Sequence, residues 1–289
     1  PDYELILSQG CDLVLENTMI YHSPEVIEQF ETLGIPVLVE MSSYESEPFG
    51  RMEWVKLYGA LIGKENEAAA LFEEKMDSVS GILGAAPTGK TVTFFYVTSN
   101  GAVNVRKSTD YVAKSIAMAG GEYVSFDNTE EENAQSTVTI QMEAFYSGAH
   151  DADVLIYNSI IDGGLTTIDE LLSLEPLLGD FKAVQDGNVW CLTKDFYQES
   201  LELSDLVVDL HTVLSGADTP FFDKAAIIFD WKVETDRRDG HGAEAENTDV
   251  VRLFAAARPF GCFFDLEFIR GQRAALRVSD RTDSARRRG

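Results

Sequence analysis

The chain has 289 residues and a formal net charge of −26, with 49 acidic against 23 basic side chains. A surface this negative repels phosphate backbones and anionic lipid headgroups, which argues against binding to nucleic acids or to anionic membranes. Residues 1–220 carry 10 Lys and Arg against 37 Asp and Glu, whereas residues 221–289 are nearly neutral and hold 11 arginines. We therefore treat residues 217–289 as an atypical arginine-rich extension, expected to be irregular, disordered or poorly packed.

The opening segment, from Pro1 to Glu40, predicts the order helix, strand, helix, strand. Residues 12–16 are a short apolar strand, and Ser23 followed by Pro24 is typical of a helix start. Gly34 ends that helix, and residues 35–39 form a second strand. Connections this short place the two strands parallel with a helix crossing between them.

The rest of the chain predicts a second, larger lobe after a long helix. The clearest strand is 91–98, and the later segments repeat the opening pattern, with 153–158 matching 12–17 and 187–192 matching 34–39. The fold class is therefore α/β, with two parallel-sheet lobes joined by one long helix. The expected divisions are a partial N-terminal lobe, the interlobe helix, a C-terminal lobe and the extension, at residues 1–63, 64–84, 85–216 and 217–289.

Residues 84–91 (GAAPTGKT) fit the phosphate-binding loop pattern, which offers a nucleotide-binding alternative. That chemistry needs a strand before the loop and a helix after it, so that backbone N–H groups face the phosphates. Here the predicted order is reversed, which indicates a helix end followed by a turn.

Other catalytic or metal-binding patterns are weak. The three cysteines are far apart and the four histidines lack metal-ligand spacing, although His22 lies in a candidate ligand loop. The sequence shows no nucleophile elbow, so we predict that the protein is not an enzyme. It contains no run of 18 apolar residues, so no membrane span is predicted, and no signal peptide is visible.

Ligands of open α/β sheets bind beyond the carboxyl ends of the strands. In this chain the loops that follow predicted strands are polar or aromatic and are long for simple connections. They are residues 17–22, 42–51, 98–106, 158–164 and 194–199.

The order of these segments resembles the substrate-binding proteins of ABC importers for iron–siderophore complexes, haem and cobalamin. Residues 3–15 (YELILSQGCDLVL) are similar to the family's E-x-I-L-x-x-x-P-D-L-V segment, with Cys11 in place of its proline. The resemblance covers about residues 1–215, but the family's first β-α units are absent, which implies an incomplete, truncated N-terminal lobe. Further matching stretches lie at 30–37, 64–68, 119–124 and 181–190.

The resemblance implies a non-catalytic capture protein that works outside the cytoplasm, in the periplasm or as a membrane-anchored lipoprotein. Its ligand would be an iron(III) chelate, haem or a corrinoid, with no cofactor of its own. Its partner would be the permease dimer of an ABC importer, which would receive Glu4 from one lobe and Glu143 from the other. The family further implies a monomer whose long helix limits the motion of its lobes.

Large anionic chelates are usually held by arginines and aromatic side chains. Arg51 and Arg106 are the only arginines before residue 220, so they are the first candidates for ligand contact. Two alternatives remain open besides nucleotide binding: a transport protein for bare Zn²⁺ or Mn²⁺, and a broken gene product that binds nothing. The secondary candidates for ligand contact are Tyr44, Tyr96, Asn100, Asn158 and Tyr197.

Overall fold

The computed structural model describes residues 1–127, 136–159, 165, 167–192, 200–216 and 228–230. The chain divides into two compact units, and each is described by itself. Among the described residues, the first unit contains Pro1–Tyr44 and Tyr58–Glu67. The second contains Glu45–Leu57 and the described residues from Ala68 onward.

The first unit is built on two parallel strands. Strand β1 pairs with β2 in a register that places Val14 opposite Val37 and Asn17 opposite Glu40. A small core of Val14, Phe30 and Ile35 lies between the strands and the helices. The elements are α1 (Tyr3–Ser8), β1 (Val14–Asn17), α2 (Pro24–Thr32) and β2 (Val37–Glu40), with 3₁₀ turns at Thr18–His22 and Ser42–Tyr44.

These elements confirm the predicted order of the opening segment and the parallel pairing of its strands. The Asp2 side chain caps α1 by accepting a hydrogen bond from the Leu5 amide at 3.1 Å. Pro24 occupies the first turn of α2, as the sequence indicated. Gly34 takes a left-handed φ of 76° directly after α2, a conformation that favours glycine and turns the chain into β2.

Two long helices follow, and both contain residues of each unit. Helix α3 (Pro48–Leu61) begins three residues earlier than the predicted Arg51. Helix α4 (Glu65–Leu83) matches the predicted long helix to within one residue.

The second unit is a sheet with helices on both faces. Its strands lie in the order β6-β4-β3-β7-β8-β9, with β5 also beside β3. Strands β3, β7 and β8 are mutually parallel, whereas β4, β6 and β9 join the sheet antiparallel. The strands are β3 (Thr91–Val97), β4 (Val103–Arg106), β5 (Glu122–Tyr123), β6 (Thr137–Ile140), β7 (Val154–Tyr157), β8 (Val189–Leu192) and β9 (Ile228–Asp230).

The parallel centre confirms the predicted strands, but the sheet as a whole is mixed. The expectation that residues 98–106 form a loop is wrong, because β4 returns antiparallel along β3 through a tight turn. The Asn100-Gly101 pair in that turn is a strong hairpin signal that the sequence reading missed. Most of the extension predicted from residue 217 lies outside the described residues, which include only β9.

Alternating side chains of β3 divide the second unit into two cores. Val92 and Phe94 face a cluster shared with α5 and α9, whereas Phe95 and Val97 face a cluster shared with α6 and α7. The helices are α5 (Tyr111–Met118), α6 (Met142–Ala149), α7 (Ile168–Leu174), α8 (Lys182–Asp186) and α9 (Leu203–Ser215).

Ion pairs and hydrogen bonds of charged side chains connect elements of the second unit at two places. Lys75 of α4 pairs with Glu202 and, at 2.9 Å, with Asp205 at the start of α9. Asp153, directly before β7, accepts hydrogen bonds from the Thr91 amide at 2.9 Å and from Lys182 at 2.6 Å. No helix in the described ranges is long and apolar enough to cross a membrane.

Candidate functional site

The carboxyl ends of β3, β7 and β8 lie at one edge of the second unit's sheet. Asn158 follows β7 there, is 1% exposed, and its backbone N–H donates to the Phe95 carbonyl at 2.8 Å. The hydroxyl of Ser159 donates to the Leu192 carbonyl at 2.9 Å. These bonds tie the ends of the three strands together and place Asn158 at the edge where the sequence predicted it. Tyr197 lies outside the described residues.

The β3–β4 hairpin separates two of the predicted residues. Tyr96 lies within β3, half-buried against the core shared with α6. Asn100 lies in the exposed turn, where its Oδ1 accepts a hydrogen bond from the Thr98 hydroxyl at 2.5 Å. The two side chains therefore belong to different surroundings, one in the sheet and one at the tip of the hairpin.

Arg106 lies within a strand, away from the turn of the β3–β4 hairpin, whereas the sequence predicted it in the loop after β3. It ends β4, whose antiparallel register places Val103 opposite Val97 and Val105 opposite Phe95. Its side chain is 11% exposed, with Nη1 at 3.6 Å from Asp110 Oδ2. Since β4 runs back along β3, Arg106 lies about 10 Å from the carboxyl end of β3 at the usual strand rise.

Arg51 and Arg106 nevertheless meet the same neighbours. Arg51, in α3, donates from Nε to the Glu45 carbonyl at 2.8 Å, and its guanidinium lies 3.9 Å from the centre of the Tyr111 ring. Tyr111 directly follows Asp110, whose carboxylate caps α5 through the Val112 amide. The structure thus brings the only two arginines of residues 1–220 to the start of α5.

Asp110 is the acidic centre of this arginine cluster, which consists of Arg51, Arg106, Asp110 and Tyr111. Burial raises the pKa of the Asp110 carboxyl, and the charge of Arg106, followed by that of Arg51, acts in the opposite direction. Two positive charges therefore surround one buried carboxyl. The sequence reading did not single out Asp110, although an Asp just before an apolar helix is a typical N-cap signal.

Tyr44 belongs to the first unit and is well exposed, at the end of the 3₁₀ turn that follows β2. His22 ends the corresponding turn after β1 and is also exposed. Within β1, Glu16 is 2% exposed, and among the described residues its Oε1 has no hydrogen-bond partner. Burial raises the pKa of Glu16 to about 7.

Glu4 and Glu143 occupy matching places in the two units. Each lies exposed in the first turn of a helix, and each helix is followed by a strand of a parallel pair. Acidic residues are favoured there by the helix dipole, so the position alone has a structural explanation.

The segment 84–91 has the order that the sequence predicted. Helix α4 ends at Leu83 and β3 begins at Thr91, the reverse of a phosphate-binding loop. The Thr91 hydroxyl lies 3.1 Å from Asp153, and Lys90 Nζ lies 3.9 Å from the same carboxylate. Within the described ranges, no group of three or more His, Cys, Asp or Glu side chains is placed to hold a metal ion.

No family model matches the chain. It is 32% identical over 212 residues to an uncharacterized lipoprotein of Methanocaldococcus jannaschii, a match that covers 71% of this chain and 49% of the relative. A second uncharacterized lipoprotein of that organism is 27% identical over 231 residues, or 75% of this chain and 56% of the relative. The chain therefore spans about half the length of these curated relatives.

Solved structures with a similar fold include periplasmic binding proteins. A protein of Staphylococcus epidermidis described as a possible iron-binding, periplasmic solute-binding protein has a TM-score of 0.57 at 15% identity, covering 73% of this chain and 79% of that one. The haem-binding HutB of Vibrio cholerae has a TM-score of 0.57 at 19% identity, covering 70% and 77%. An Fe³⁺-hydroxamate transport protein of Saccharomonospora viridis has a TM-score of 0.53 at 21% identity, covering 74% and 72%. The predicted resemblance is confirmed at the level of the fold, which is the α/β fold of two-lobed periplasmic binding proteins.

Proposed function

We propose that this chain is the solute-binding component of an ABC importer, which captures a ferric siderophore, haem or a corrinoid and delivers it to a permease. The observation that supports this most is the shared fold with periplasmic proteins for iron, haem and Fe³⁺-hydroxamates. The lipoprotein relatives support a location outside the cytoplasm with a membrane anchor on the whole protein. The proposed activity is binding without catalysis.

The arginine cluster is the proposed contact for anionic groups of the ligand. Arg51 is the better placed of the two, because it is half-buried and stacks on an aromatic ring that holds its orientation. Arg106 is more deeply buried and pairs with Asp110, so it would act mainly through its charge at the start of α5. Asn158, Tyr96 and the other predicted residues remain secondary candidates.

Titration of the purified chain with a ferric siderophore, haemin and cyanocobalamin tests this function. Trp54 reports on α3, since its indole N–H lies 3.3 Å from Glu45, and Trp190 reports on β8. We expect saturable quenching of tryptophan fluorescence by at least one ligand. Flat titrations with all three would refute the function.

Substitution of Arg51 separates ligand binding from general charge effects. We expect R51Q to weaken binding of an anionic chelate by about tenfold, the effect of a charge-assisted hydrogen bond of about 1.4 kcal/mol. Lys56→Gln is the matched control, because Lys56 is a cation of the same helix that pairs with Glu53 at 2.9 Å. Equal effects of R51Q and K56Q would remove the arginine cluster from the proposal.

The proposed permease docking rests on Glu4 and Glu143. Charge reversal of either residue should prevent stable binding to the permease while leaving the ligand affinity of the chain unchanged. Glu31→Lys, on the exposed side of α2, is the control for total charge. Equal loss of permease binding in E31K would indicate a general charge effect in place of two docking sites.

A nucleotide-binding function is the alternative that a single assay can decide. Saturable ATP binding that is lost in Lys90→Ala would overturn the transport proposal. We expect no such binding, because Thr91 and Lys90 are engaged with Asp153.

A further inference from the structure

Strand β6 lies at one edge of the second unit's sheet. Among the described residues, it pairs with β4 on one side and has no strand on the other. Val138 and Ile140 pack against the core shared with α6, whereas Thr139, on the other face of the strand, is exposed. An open edge of this kind offers its backbone N–H and C=O groups to another strand.

The outward backbone groups of β6 belong to Thr137 and Thr139. The Lys107 N–H donates to the Ser136 carbonyl at 2.9 Å, so these two residues form a hydrogen-bonded pair next to the ladder of β4 and β6. Such pairs alternate along an antiparallel ladder, and the next one on β6 is therefore Val138. The N–H and C=O groups of Thr137 and Thr139 consequently point away from β4.

The sequence of β6 lacks the charges and the proline that commonly protect an edge strand. Residues 136–141 (STVTIQ) contain neither, although 25% of the whole chain is charged. At the opposite edge, by comparison, β9 has three residues and ends in Asp230. A strand that joins β6 would therefore face no charged side chain on β6 itself.

Strand β6 is also complementary to itself in an antiparallel pair. When two copies meet with Val138 opposite Val138, Thr137 of one copy lies opposite Thr139 of the other. Their outward backbone groups then exchange hydrogen bonds in both directions, and threonine side chains face each other, which is a favourable cross-strand pair. This symmetric arrangement is the isologous contact of a twofold dimer.

We propose that β6 is a contact between two copies of this chain, in which their β6 strands pair antiparallel and join the two sheets. The proposal differs from the monomer that the sequence resemblance implied, and it does not depend on the ligand. A second copy is the occupant that the uncharged, self-complementary strand fits. Because β6 has four residues and buries little surface, we expect a transient dimer with a dissociation constant of about 100 µM.

The net charge of the chain determines how this dimer should respond to salt. Each copy carries a formal charge of −26, so two copies repel each other at low ionic strength, while the contact itself is uncharged. Salt screens the repulsion and leaves the backbone hydrogen bonds in place. The dimer should therefore become stronger as salt is added, whereas a dimer held by ion pairs would become weaker.

Sedimentation equilibrium of the full chain tests the contact. Between about 10 and 300 µM protein, we expect the average mass to rise toward that of a dimer. The rise should be steeper at about 0.5 M NaCl than at about 20 mM. A chain that stays monomeric under all these conditions, or a dimer that weakens with salt, would overturn the inference.

A matched pair of variants tests the register. In T137E/T139E, each glutamate would face a glutamate of the second copy, and we expect the dissociation constant to rise about tenfold. In T137E/T139K, each glutamate would face a lysine, and we expect a dissociation constant close to that of the wild type. Both positions lie on the face of β6 opposite the core, and Thr137 is in register with Arg106, so a glutamate is accommodated there.

The control for total charge is S78E/S80E, which adds the same two acidic groups at exposed positions of α4. Circular dichroism shows whether each variant retains the fold. A dimer that survives in T137E/T139E, or that is lost to the same extent in T137E/T139K, would overturn the inference. Equal weakening in S78E/S80E would also overturn it, because the effect would then follow total charge and not the facing strands.

Discussion

The parallel pair β1 and β2 in the first unit and the parallel pair β7 and β8 in the second follow the same local plan. In each pair, the last helix before the second strand is followed by a glycine with a left-handed φ, 76° at Gly34 and 74° at Gly187. Their burial differs, because all four residues of β7 are buried whereas no residue of β2 is. Strand β7 has β3 on its other side, and β8 has β9, whereas β1 and β2 form a two-stranded sheet of their own.

This contrast shows what local sequence decides and what neighbours decide. Proline and glycine at the ends of apolar runs mark where the helices and strands of such a unit begin and end. The depth of burial, and with it the cost of a buried charge or a cavity, depends on the strands and helices added around that unit. Substitutions in the two units measure this difference.

The largest expected difference concerns the aromatic cores. Phe145 is fully buried, with its ring 4.6 Å from that of Phe95 and 5.5 Å from that of Phe181. We expect Phe145→Ala to lower the free energy of unfolding by about 3–5 kcal/mol. Phe30→Ala in the first unit should cost less, about 2–3 kcal/mol, because a core of few residues can collapse around the cavity. Urea unfolding followed by circular dichroism compares them, and equal losses would contradict the difference.

The next effect concerns the buried Glu16 of β1. Its pKa is raised to about 7 from 4.5 by burial, so the stability it contributes is present below pH 4.5 and is lost as the pH rises through 7. We expect Glu16→Gln to raise the free energy of unfolding by about 2 kcal/mol at pH 8 and to change it little at pH 4. Glu28→Gln on the exposed side of α2 is the control, and a similar gain there would contradict the assignment to burial.

Asp153 should show the opposite dependence on pH. Hydrogen bonds from Lys182 and Thr91 lower its pKa to about 2 from 3.8, so its contribution is present above pH 4 and is lost as the pH falls through 2. We expect Asp153→Asn to cost about 1–2 kcal/mol at neutral pH and the cost to vanish near pH 2. Asp151→Asn is the matched control, since Asp151 is exposed two residues earlier; a constant cost of D153N across pH would reject the mechanism.

The smallest expected effect is at Glu202. Burial, followed by the hydrogen bond with Asp205, raises its pKa to about 7 from 4.5, which is the same direction as for Glu16. Its stability contribution is therefore also lost as the pH rises from 4.5 through 7. Its side chain is 37% exposed and pairs with Lys75, so solvent and the ammonium reduce the cost of ionisation. We expect Glu202→Gln to shift the free energy of unfolding by less than about 1 kcal/mol between pH 5 and pH 8, measured by thermal unfolding.

Much of the fold could be predicted because its signals are local. The strand at residues 91–98 and the long helix at 64–83 are set by continuous apolar and helical periodicity, and both were found close to their true bounds. The strands β4 and β6 were missed, since four alternating residues such as Val103–Arg106 carry little signal without the turn before them.

The arrangement of the candidate site could be predicted from the sequence only in part. The scarcity of arginines pointed to Arg51 and Arg106 as a pair, but their common neighbours arise from the packing of α3 against the start of α5. Similarly, the turns that follow β1 and β2 lie at one edge because the two strands are parallel and in register. Long-range pairing of this kind is invisible to periodicity and spacing.

The parallel pairing of β3 with β7 also has a consequence for how the chain folds. Val92 pairs with Val154, which is distant along the chain, whereas Val14 pairs with the much nearer Val37. Closing the longer loop costs more chain entropy, and this cost precedes the contacts that offset it. The centre of the larger sheet is therefore expected to assemble late. The β3–β4 hairpin can form before this step because its strands are adjacent in the chain. Until β7 pairs with β3, the other edge of β3 would remain exposed. Newly synthesised chains are most open to aggregation during this interval, at the strand that later becomes one of the best buried.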